Sequence, residues 1–431
     1  MQKIIKKKLY QFILIISFYL IRFSLIINSY KISAFIIWLN IRPIRVIKQN
    51  SKKIKKVLVF PKSGGYEDLI ESYRVQKKNN IIFLILPRKF LSKIFKYYFN
   101  KNDIKDYFTK PKNSDELFKK KRYVEYLTNT FSVLDKFIKL DGFISFNLFY
   151  KAEKYLEEVF YNLNKKFIVL HKESAFTPIE EKNSKKVYKK FNTKSLADKI
   201  SVYTESQKNI MIKSKIAKVN QIHVNGCPRT DYTFRLRKVK PKKNIIIYYM
   251  IEKNRGSNLI LSKSKINWEK LYNQTLEYLI DFAKKNQNVK IIFKGKVGAH
   301  SEDNFDLSIL PKNCKFITGN TGDKFLKDAS VVIAFNSMTV FETIASNRNL
   351  IIPNFNKESK KKEKMLLKIS NTKYFANTKK QFIKKLNIHL NSKYKNSSLS
   401  NSDKKMLNYY LGSIDGKSGQ KVQKFLYRSF N

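Results

Sequence analysis

A short stretch around residue 336 combines small polar side chains with an abrupt change of pattern. An apolar run without charges ends at Phe335, and three small polar side chains follow within four residues, namely Asn336, Ser337 and Thr339. The pattern predicts a helix start here, where unpaired backbone N–H groups and the positive end of the helix dipole stand beside two hydroxyls. These features predict a cradle for phosphate groups. The simpler alternative is that the hydroxyls only cap the helix and that Glu342 is a solvated acid.

Two pairs of residues could supply a proton acceptor and further positive charge. His171 and Glu173 follow an apolar, strand-like run, and either side chain could act as a general base near neutral pH. The alternative for His171 is a structural histidine bonded to a backbone carbonyl. Lys294 and His300 follow another strand-like run and could contact the same phosphate groups, although a flexible basic loop explains them equally well.

A glycine pair, Gly64 and Gly65, lies in the loop after the first strand-like run. Glycine lets a backbone approach a ligand closely, so the loop could contact an acceptor or a donor, although turns also use glycine for steric reasons alone. The sequence has no D-x-D triplet, which disfavours metal-bridged diphosphate chemistry. We therefore predict a site without metal or bound cofactor, in which lysine, arginine and helix dipoles supply the positive charge.

The elements that would position these residues form two series of short apolar runs. The first series predicts strands at 57–60, 81–86, 142–146, 167–170, 200–203 and 221–224, and the second at 245–250, 290–293, 315–317, 331–335, 350–352 and 374–376. Helix-length stretches separate most of them. One such stretch has an apolar face made of Trp268, Leu271, Tyr272, Thr275, Leu279, Phe282 and Ala283. This alternation is typical of parallel sheets covered on both faces, whose ligands bind beyond the carboxyl ends of the strands.

The composition limits the class of protein. The chain has 431 residues, 43% of them hydrophobic, which suffices for two domains with packed cores. The net charge of +55 comes mainly from lysines spread along the whole chain, and no nucleic-acid-binding motif accompanies them, so we expect no specific nucleic-acid partner. The charge still favours anionic lipids and phosphate-bearing substrates. Cys227 and Cys314 lack metal-ligand spacing, which predicts a reducing compartment such as the cytoplasm.

The amino-terminal stretch is apolar with basic flanks. Apolar runs cover residues 9–27 and 32–39, and Arg22, Asn28 and Lys31 interrupt them. The first run is just long enough for a helix that spans a bilayer, and no cleavage site of a secretory signal follows it. We expect an anchor that lies in the plane of the membrane. A true span and a helix buried against the first domain are the alternatives.

Seven short motifs follow one another along the chain: LHKES at 170–174, DKISVYTES at 198–206, VNGCPRTD at 224–231, LKDASVVI at 326–333, AFNSMTVFETIA at 334–345, LIIP at 350–353 and LGSIDGKS at 411–418. The motifs at 334–345 and 350–353 resemble the donor-binding segment of GT-B glycosyltransferases and of the related UDP-N-acetylglucosamine 2-epimerases. The motif at 326–333 fits the helix and strand that precede this segment. The motifs at 198–206 and 224–231 resemble the closing part of the first domain in those proteins. The first and last are similar to bacterial surface-carbohydrate and capsule biosynthesis members.

The resemblance implies a GT-B-like α/β fold with two Rossmann-like parallel-sheet domains that face a cleft. With the two series of strands it predicts a membrane-associating segment at 1–50, an acceptor domain at 51–235, a donor domain at 244–400 and a helical tail at 401–431. It also implies that Glu342 bonds the ribose hydroxyls of a nucleotide-activated sugar. Inverting sugar transfer needs a base for the proton of the acceptor hydroxyl, and His171 or Glu173 could serve as that base.

The functional prediction is an enzyme of surface-polysaccharide assembly at the cytoplasmic face of the inner membrane. It would transfer a sugar or sugar-phosphate to a lipid-linked or polysaccharide acceptor and would contact anionic lipids of the inner leaflet. A nucleotide-sugar 2-epimerase is the first alternative, but the turn at 336–339 lacks the glycine-rich loop usual in epimerase-like proteins. A non-catalytic membrane-bound or nucleic-acid-binding protein is the second.

Overall fold

The computed structural model describes most of the chain. The described ranges are 2–45, 54–62, 64–74, 80–100, 111–172, 177–191, 194–253, 267–296, 305–319, 323–355, 366–369, 371–395 and 397–431. These residues form two compact units. The first unit comprises Met1–Glu173, Tyr188–Gly226 and Gly419–Asn431, and the second comprises Ser174–Val187 and Cys227–Ser418.

A seven-stranded sheet forms the centre of the first unit. Its strands are β1 (Arg42–Arg45), β2 (Lys55–Val59), β3 (Ile81–Ile85), β4 (Gly142–Ser145), β5 (Lys166–Leu170), β6 (Lys199–Val202) and β7 (Ile222–Val224). Their order is β1-β3-β2-β4-β5-β6-β7, with β1 antiparallel to β3 and the others parallel. The prediction lacked β1 because its two arginines and its proline form no apolar run, which is typical of an edge strand.

Helices cover both faces of this sheet because successive strand residues point to opposite sides. The helices up to residue 213 are α1 (Gln2–Ile26), α2 (Tyr30–Asn40), α3 (Gly65–Arg74), α4 (Lys89–Tyr98), α5 (Ser114–Ile138), α6 (Lys151–Asn162), α7 (Pro178–Phe191) and α8 (Glu205–Lys213). Leu58 packs into one buried cluster with side chains of α4, α5 and α6, whereas its neighbours Val57 and Val59 pack into the other with α3.

A six-stranded sheet forms the centre of the second unit. Its strands are β8 (Ile245–Tyr249), β9 (Lys290–Lys294), β10 (Cys314–Ile317), β11 (Val331–Ile333), β12 (Asn349–Pro353) and β13 (Phe375–Ala376). All of these neighbours are parallel, in the order β10-β9-β8-β11-β12-β13. The predicted α/β class, with two mostly parallel sheets, flanking helices and an apolar amino-terminal helix, is confirmed.

The remaining helices are α9 (Arg229–Leu236), α10 (Trp268–Lys285), α11 (Asp323–Leu326), α12 (Met338–Ala345), α13 (Lys379–Asn391), α14 (Asn401–Leu411) and α15 (Ser418–Phe430). The predicted apolar face of α10 is confirmed, since every residue assigned to it is buried. Asn267 begins this helix, and its side chain accepts a hydrogen bond from the backbone N–H of Lys270.

The two carboxyl-terminal helices belong to different units. The predicted tail at 401–431 contains α14, which lies in the second unit, and α15, most of which lies in the first. Four apolar side chains of α15 join the buried cluster that contains Val57 and Ile144, namely Val422, Phe425, Leu426 and Phe430. The last helix therefore completes one face of the first sheet. A local pattern cannot reveal this contact, because an amphipathic helix does not specify which sheet it covers.

The apolar amino-terminal segment forms the helices α1 and α2. Leu9–Ile26 within α1 is long and apolar enough to cross a membrane by length and composition. One side of the pair packs on the first unit, where Ile21, Leu25 and Ile37 are buried. The alternative of a helix packed on the first domain therefore holds for that side.

Candidate functional site

The strand order of the second sheet reverses between β8 and β11. The chain proceeds from β8 outward to β9 and β10 on one side, and from β11 outward to β12 and β13 on the other. Loops that leave neighbouring strands in opposite directions open a crevice at their carboxyl ends, where ligands of such sheets bind. Residues 334–337 follow β11 at this point, so the topology places the predicted phosphate cradle where a ligand site is expected.

Asn336 shapes the turn between β11 and α12. Its backbone adopts the left-handed region, with φ of 46°, which asparagine tolerates better than most residues. Its side-chain Oδ1 accepts a hydrogen bond of 2.8 Å from the backbone N–H of Leu367, and the residue is buried. These contacts hold the turn in place. A role for Asn336 in binding a nucleotide stays a prediction.

Ser337 occupies the N-cap position of α12, but its side chain makes no capping hydrogen bond. By contrast, Thr378 and Ser400, at the starts of α13 and α14, each accept a hydrogen bond of 3.1 Å from a backbone N–H of the first turn. Ser337 and Thr339 are both half-buried. Capping, the simpler explanation for Ser337, therefore does not describe this residue, and its hydroxyl remains available to a ligand.

Glu342 is neither solvated nor isolated. Its side chain is 12% exposed, and its Oε1 lies 3.8 Å from Nε of Arg229, whose side chain is 19% exposed. Arg229 begins α9 after a loop that contains Gly226, which has φ of 79°. The alternative of a solvated acid is therefore wrong. Arg229 was not predicted as a neighbour of Glu342, although it lies in the motif VNGCPRTD that carried part of the resemblance.

Lys294 lies at the same edge of the sheet, one strand away from β8. It ends β9, is 7% exposed, and donates a hydrogen bond of 2.8 Å from Nζ to the carbonyl of Gly295. Burial lowers the pKa of this ammonium group from its ordinary value. An anion beside it would offset the loss of water. The predicted partner His300 lies outside the described residues.

The first sheet also has a point where its strand order reverses, between β2 and β4. Gly64, in the loop after β2, has φ of 85°, and its N–H donates a hydrogen bond of 2.5 Å to Oε2 of Glu67. A Cβ at Gly65 would lie 2.4 Å from the ring of Phe146, which follows β4. The close backbone approach at Gly65 is therefore explained by Phe146. Contact of this loop with a ligand stays a prediction.

A cation and an aromatic ring also meet at this reversal. Nζ of Lys62 lies 3.3 Å from the centroid of the Tyr150 ring. Three residues after Tyr150, the carboxylate of Glu153 forms a salt bridge with Arg88. Such a cation–π contact contributes about 0.5–2 kcal/mol, depending on exposure. No sequence pattern predicts this contact, because Lys62 and Tyr150 are far apart along the chain.

His171 follows β5 and is 1% exposed. Its backbone N–H donates a hydrogen bond of 2.8 Å to the carbonyl of Ser201, and its ring meets the ring of Phe149 edge-on, with 5.3 Å between centroids. The predicted companion Glu173 lies outside the described residues. A second buried group at the carboxyl end of this sheet was missed by sequence reasoning: the Tyr203 hydroxyl donates a hydrogen bond to the carboxylate of Asp68.

The structure thus brings the predicted residues together in two groups. Asn336, Ser337, Thr339 and Glu342 share one turn and helix in the second unit, with Lys294 at the same sheet edge. His171, Gly64 and Gly65 lie at the carboxyl edge of the first sheet. Within the described ranges, no group of three or more histidine, cysteine, aspartate or glutamate residues could hold a metal ion.

Comparisons with known proteins give similarity in structure alone. No protein-family model matches the sequence, and no curated protein matches it. A variant of the wall teichoic acid polymerase TagF aligns with a TM-score of 0.47 and 11% identity, over 95% of this chain and 96% of that one. UDP-N-acetylglucosamine 2-epimerase from Rickettsia bellii aligns with a TM-score of 0.43 and 13% identity, over 88% of this chain and 95% of that one. Trehalose-6-phosphate synthase OtsA aligns with a TM-score of 0.43 and 8% identity, over 87% of this chain and 98% of that one. All three alignments are similarities of structure at sequence identities of 13% or less.

Proposed function

We propose that the chain transfers a sugar or sugar-phosphate from a nucleotide-activated donor to a lipid-linked or polymeric acceptor in surface-polysaccharide assembly. The observation that carries this proposal is the turn at 336–339. It lies where the strand order of the second sheet reverses, and its N-cap residue Ser337 leaves the helix start without a side-chain cap. A polar helix start without a side-chain cap at such a point suits a phosphate group.

The second unit supplies the groups that would hold the donor. Ser337 and the first turn of α12 would bond the diphosphate, with Lys294 as a nearby cation. Glu342 would accept hydrogen bonds from the ribose hydroxyls, because each oxygen of a carboxylate can accept more than one hydrogen bond. Positive charge from Lys294, Arg229 and the helix dipole would stabilise the leaving diphosphate without a metal ion.

The first unit would supply the base for the acceptor. In a direct displacement, the acceptor oxygen forms a bond to the transferred carbon or phosphorus atom while the bond to the nucleotide phosphate breaks. The acceptor hydroxyl loses its proton to a base, for which His171 and Glu173 are the proposed candidates. The nucleotide leaves with the electron pair of the broken bond.

We further propose that the reaction takes place at the cytoplasmic face of the inner membrane. Nucleotide-activated sugars are cytoplasmic compounds, whereas a lipid-linked acceptor is held in the bilayer. An apolar helix at the amino terminus and a net charge of +55 suit a protein that works against anionic lipid.

A nucleotide screen followed by calorimetry tests the donor site. Thermal shifts with UDP, CDP, CMP and GDP should identify one nucleotide that stabilises the protein, by about 2.7 kcal/mol at 100 times its dissociation constant. Glu342→Ala should then weaken binding of that nucleotide by about 1–3 kcal/mol. Glu342→Gln keeps the shape of the side chain and separates loss of charge from loss of packing.

The matched control is Glu269→Ala, which removes an exposed carboxylate from α10. Equal nucleotide affinity in the Glu342 and Glu269 variants, with an intact fold by circular dichroism, would refute the donor-site assignment. Product analysis with a panel of nucleotide sugars completes the test. Transfer yields free nucleotide and a glycosylated acceptor, whereas conversion of a nucleotide sugar into its 2-epimer would favour the epimerase instead.

A further inference from the structure

Four uncharged polar side chains of the helices α1 and α2 lie on the side that faces the protein. Ser17, Ser24, Ser33 and Asn40 are all buried. The hydroxyls of Ser24 and Ser33 lie 2.6 Å apart, and that of Ser33 lies 2.7 Å from the hydroxyl of Tyr126 on α5. Asn40 Nδ2 donates a hydrogen bond of 2.9 Å to Oγ of Ser17. Each of these four side chains therefore makes at least one hydrogen bond inside the protein.

The opposite side of the two helices is apolar and exposed. Its exposed large apolar residues are Leu9, Phe12, Ile13, Ile15, Ile16, Tyr19, Leu20, Phe23, Ile26, Ile27, Ile32, Phe35, Trp38 and Leu39. We call this set the apolar face. A helix on the surface of a soluble domain has the reverse arrangement, with its apolar stripe inward and polar residues outward. A continuous exposed apolar surface of this kind marks a site of association.

Side chains in the second half of α1 and in α2 pack on the rest of the first unit. The rings of Phe18 and Phe90 on α4 lie 4.9 Å apart, and Ile21 and Ile37 are at most 1% exposed. A lone α1 crossing a bilayer would lose these contacts, and the hydroxyl of Ser24 would lose Ser33 and keep only its hydrogen bond to the carbonyl of Ile21. The packing therefore favours a helix that stays on the protein and offers one side to the membrane.

The charges around the apolar face identify its partner as anionic lipid. No aspartate or glutamate occurs before Glu67 in the sequence. Arg22 and Lys31 are exposed on the pair itself. A second copy of this surface would bring like charges together, whereas anionic headgroups complement them.

Trp38 marks the edge of the apolar face. Its ring is 45% exposed and lies 6.4 Å from the ring of Phe137, which is itself 60% exposed. Tryptophan concentrates at the level of the lipid headgroups, where its ring is partly apolar and its N–H can remain hydrated. The edge of the surface thus has the composition of a membrane interface.

We propose that the apolar face, with Phe137, lies in the plane of an anionic bilayer and penetrates one leaflet without crossing it. This inference deepens the proposed location of the enzyme. Only the assignment of the apolar face to the cytoplasmic leaflet rests on the proposed function. Binding of the apolar face to lipid does not depend on whether the protein binds a nucleotide.

Vesicle flotation with the full chain tests the proposal. The wild type should float with vesicles of phosphatidylglycerol and phosphatidylcholine in roughly equal parts, and less with phosphatidylcholine alone. Ile16→Glu/Phe23→Glu should lower partitioning by about 100-fold, since two apolar side chains lose their burial in lipid. The matched control is Tyr161→Glu/Val219→Glu, which alters two residues of the same unit that are 70% and 60% exposed and makes the same change of charge. The control should float like the wild type.

Three outcomes would overturn the proposal: equal flotation of both double variants, a wild type that stays with neither vesicle, or a wild type that forms a dimer which Ile16→Glu/Phe23→Glu dissociates. Nucleotide binding, measured on the same samples by thermal shift, should be unchanged in both variants. A failure of nucleotide binding with normal flotation would count against the proposed function alone.

Trp38 provides a second measurement that requires no change in the apolar face. With the buried Trp268 replaced by phenylalanine, the remaining emission comes from Trp38. Lipids brominated near the headgroup should quench this emission more strongly than lipids brominated near the bilayer centre. Stronger quenching by the deep bromines, or none by either, would contradict a helix pair in the plane of the interface.

Discussion

The carboxyl edges of the two sheets differ at the points where their strand orders reverse. In the first unit, Phe146 fills the space beside Gly65, and Lys62 lies over the Tyr150 ring. In the second, the helix start carries a half-buried serine, Ser337, whose side chain caps nothing. The same architecture therefore gives one edge where the protein's own side chains pack against the loop and one where a helix start has no side-chain cap. The strand order predicts where a ligand site can lie, and the packing of nearby side chains determines whether there is room for a ligand.

The largest expected effect tests whether the first edge takes part in catalysis. His171→Gln should lower turnover by about 100-fold and leave nucleotide affinity unchanged, if the imidazole accepts the proton of the acceptor. His223→Gln, on β7 of the same sheet, is the matched control and should keep wild-type turnover. Steady-state kinetics with the acceptor checks this prediction. If His171→Gln and Glu173→Gln both retain full activity, the base lies elsewhere and His171 is a core residue beside Phe149.

The next effect tests how tightly the first edge is closed. Gly65→Ala should reduce the free energy of unfolding by about 1–3 kcal/mol, because the new Cβ would overlap the ring of Phe146. Urea unfolding measures the change. Gly319→Ala serves as comparison, because nothing lies within 4 Å of its Cβ position. Its φ of 74° strains any side chain, so we expect the free energy of unfolding to fall by about 1 kcal/mol from backbone strain alone. A Gly65→Ala protein as stable as the wild type would mean that this edge opens readily.

A smaller effect concerns the pH dependence of the second edge. Lys294 has a lowered pKa, and an anionic phosphate favours its charged form. Nucleotide affinity should therefore be greatest at neutral pH and should fall as the pH rises through this lowered pKa. Lys294→Arg stays charged and should remove that decrease, while Lys294→Met should bind about 10-fold more weakly at neutral pH, the loss of a charge-assisted hydrogen bond. Calorimetry across this pH range provides the measurement. Identical pH profiles for wild type and Lys294→Arg would remove Lys294 from the site.

The smallest effect separates a ligand-binding serine from a capping serine. Ser337→Ala should leave the free energy of unfolding unchanged and weaken nucleotide binding by about 1 kcal/mol. Ser400→Ala, in the same unit, should do the opposite, with a loss of about 1 kcal/mol in stability and no change in binding. Denaturation and calorimetry on both variants test this contrast. A Ser337→Ala protein that loses stability but binds nucleotide normally would restore the capping interpretation.

The fold was more predictable than the site, for a physical reason. Runs such as 245–250 and 167–170 are apolar because both faces of a parallel strand are buried, so their positions follow from composition alone. The face of α10 likewise follows from a 3.6-residue period. By contrast, β1 is an edge strand whose pairing with β3 depends on residues far away in sequence.

The site depends on details that sequence patterns do not contain. The serine at position 337 fits both a cap and a ligand contact, and only the missing hydrogen bond distinguishes the two. The 3.8 Å approach of Arg229 to Glu342 joins helices more than a hundred residues apart, a distance that no local motif spans. Residue types therefore predicted where chemistry could occur, but not which side chains meet there.

The placement of α15 has a consequence for synthesis. The first unit needs Val422, Phe425 and Leu426 to cover one face of its sheet, yet residues 227–418 must emerge from the ribosome first. At about 5–20 residues per second, that face waits for about 10–40 s after residue 226 has been translated. The second unit can fold in the meantime, since its strands lie within one continuous stretch. The first half of the chain is thus the last to reach its native state, and during translation its uncovered strands would be exposed to chaperones and to neighbouring nascent chains.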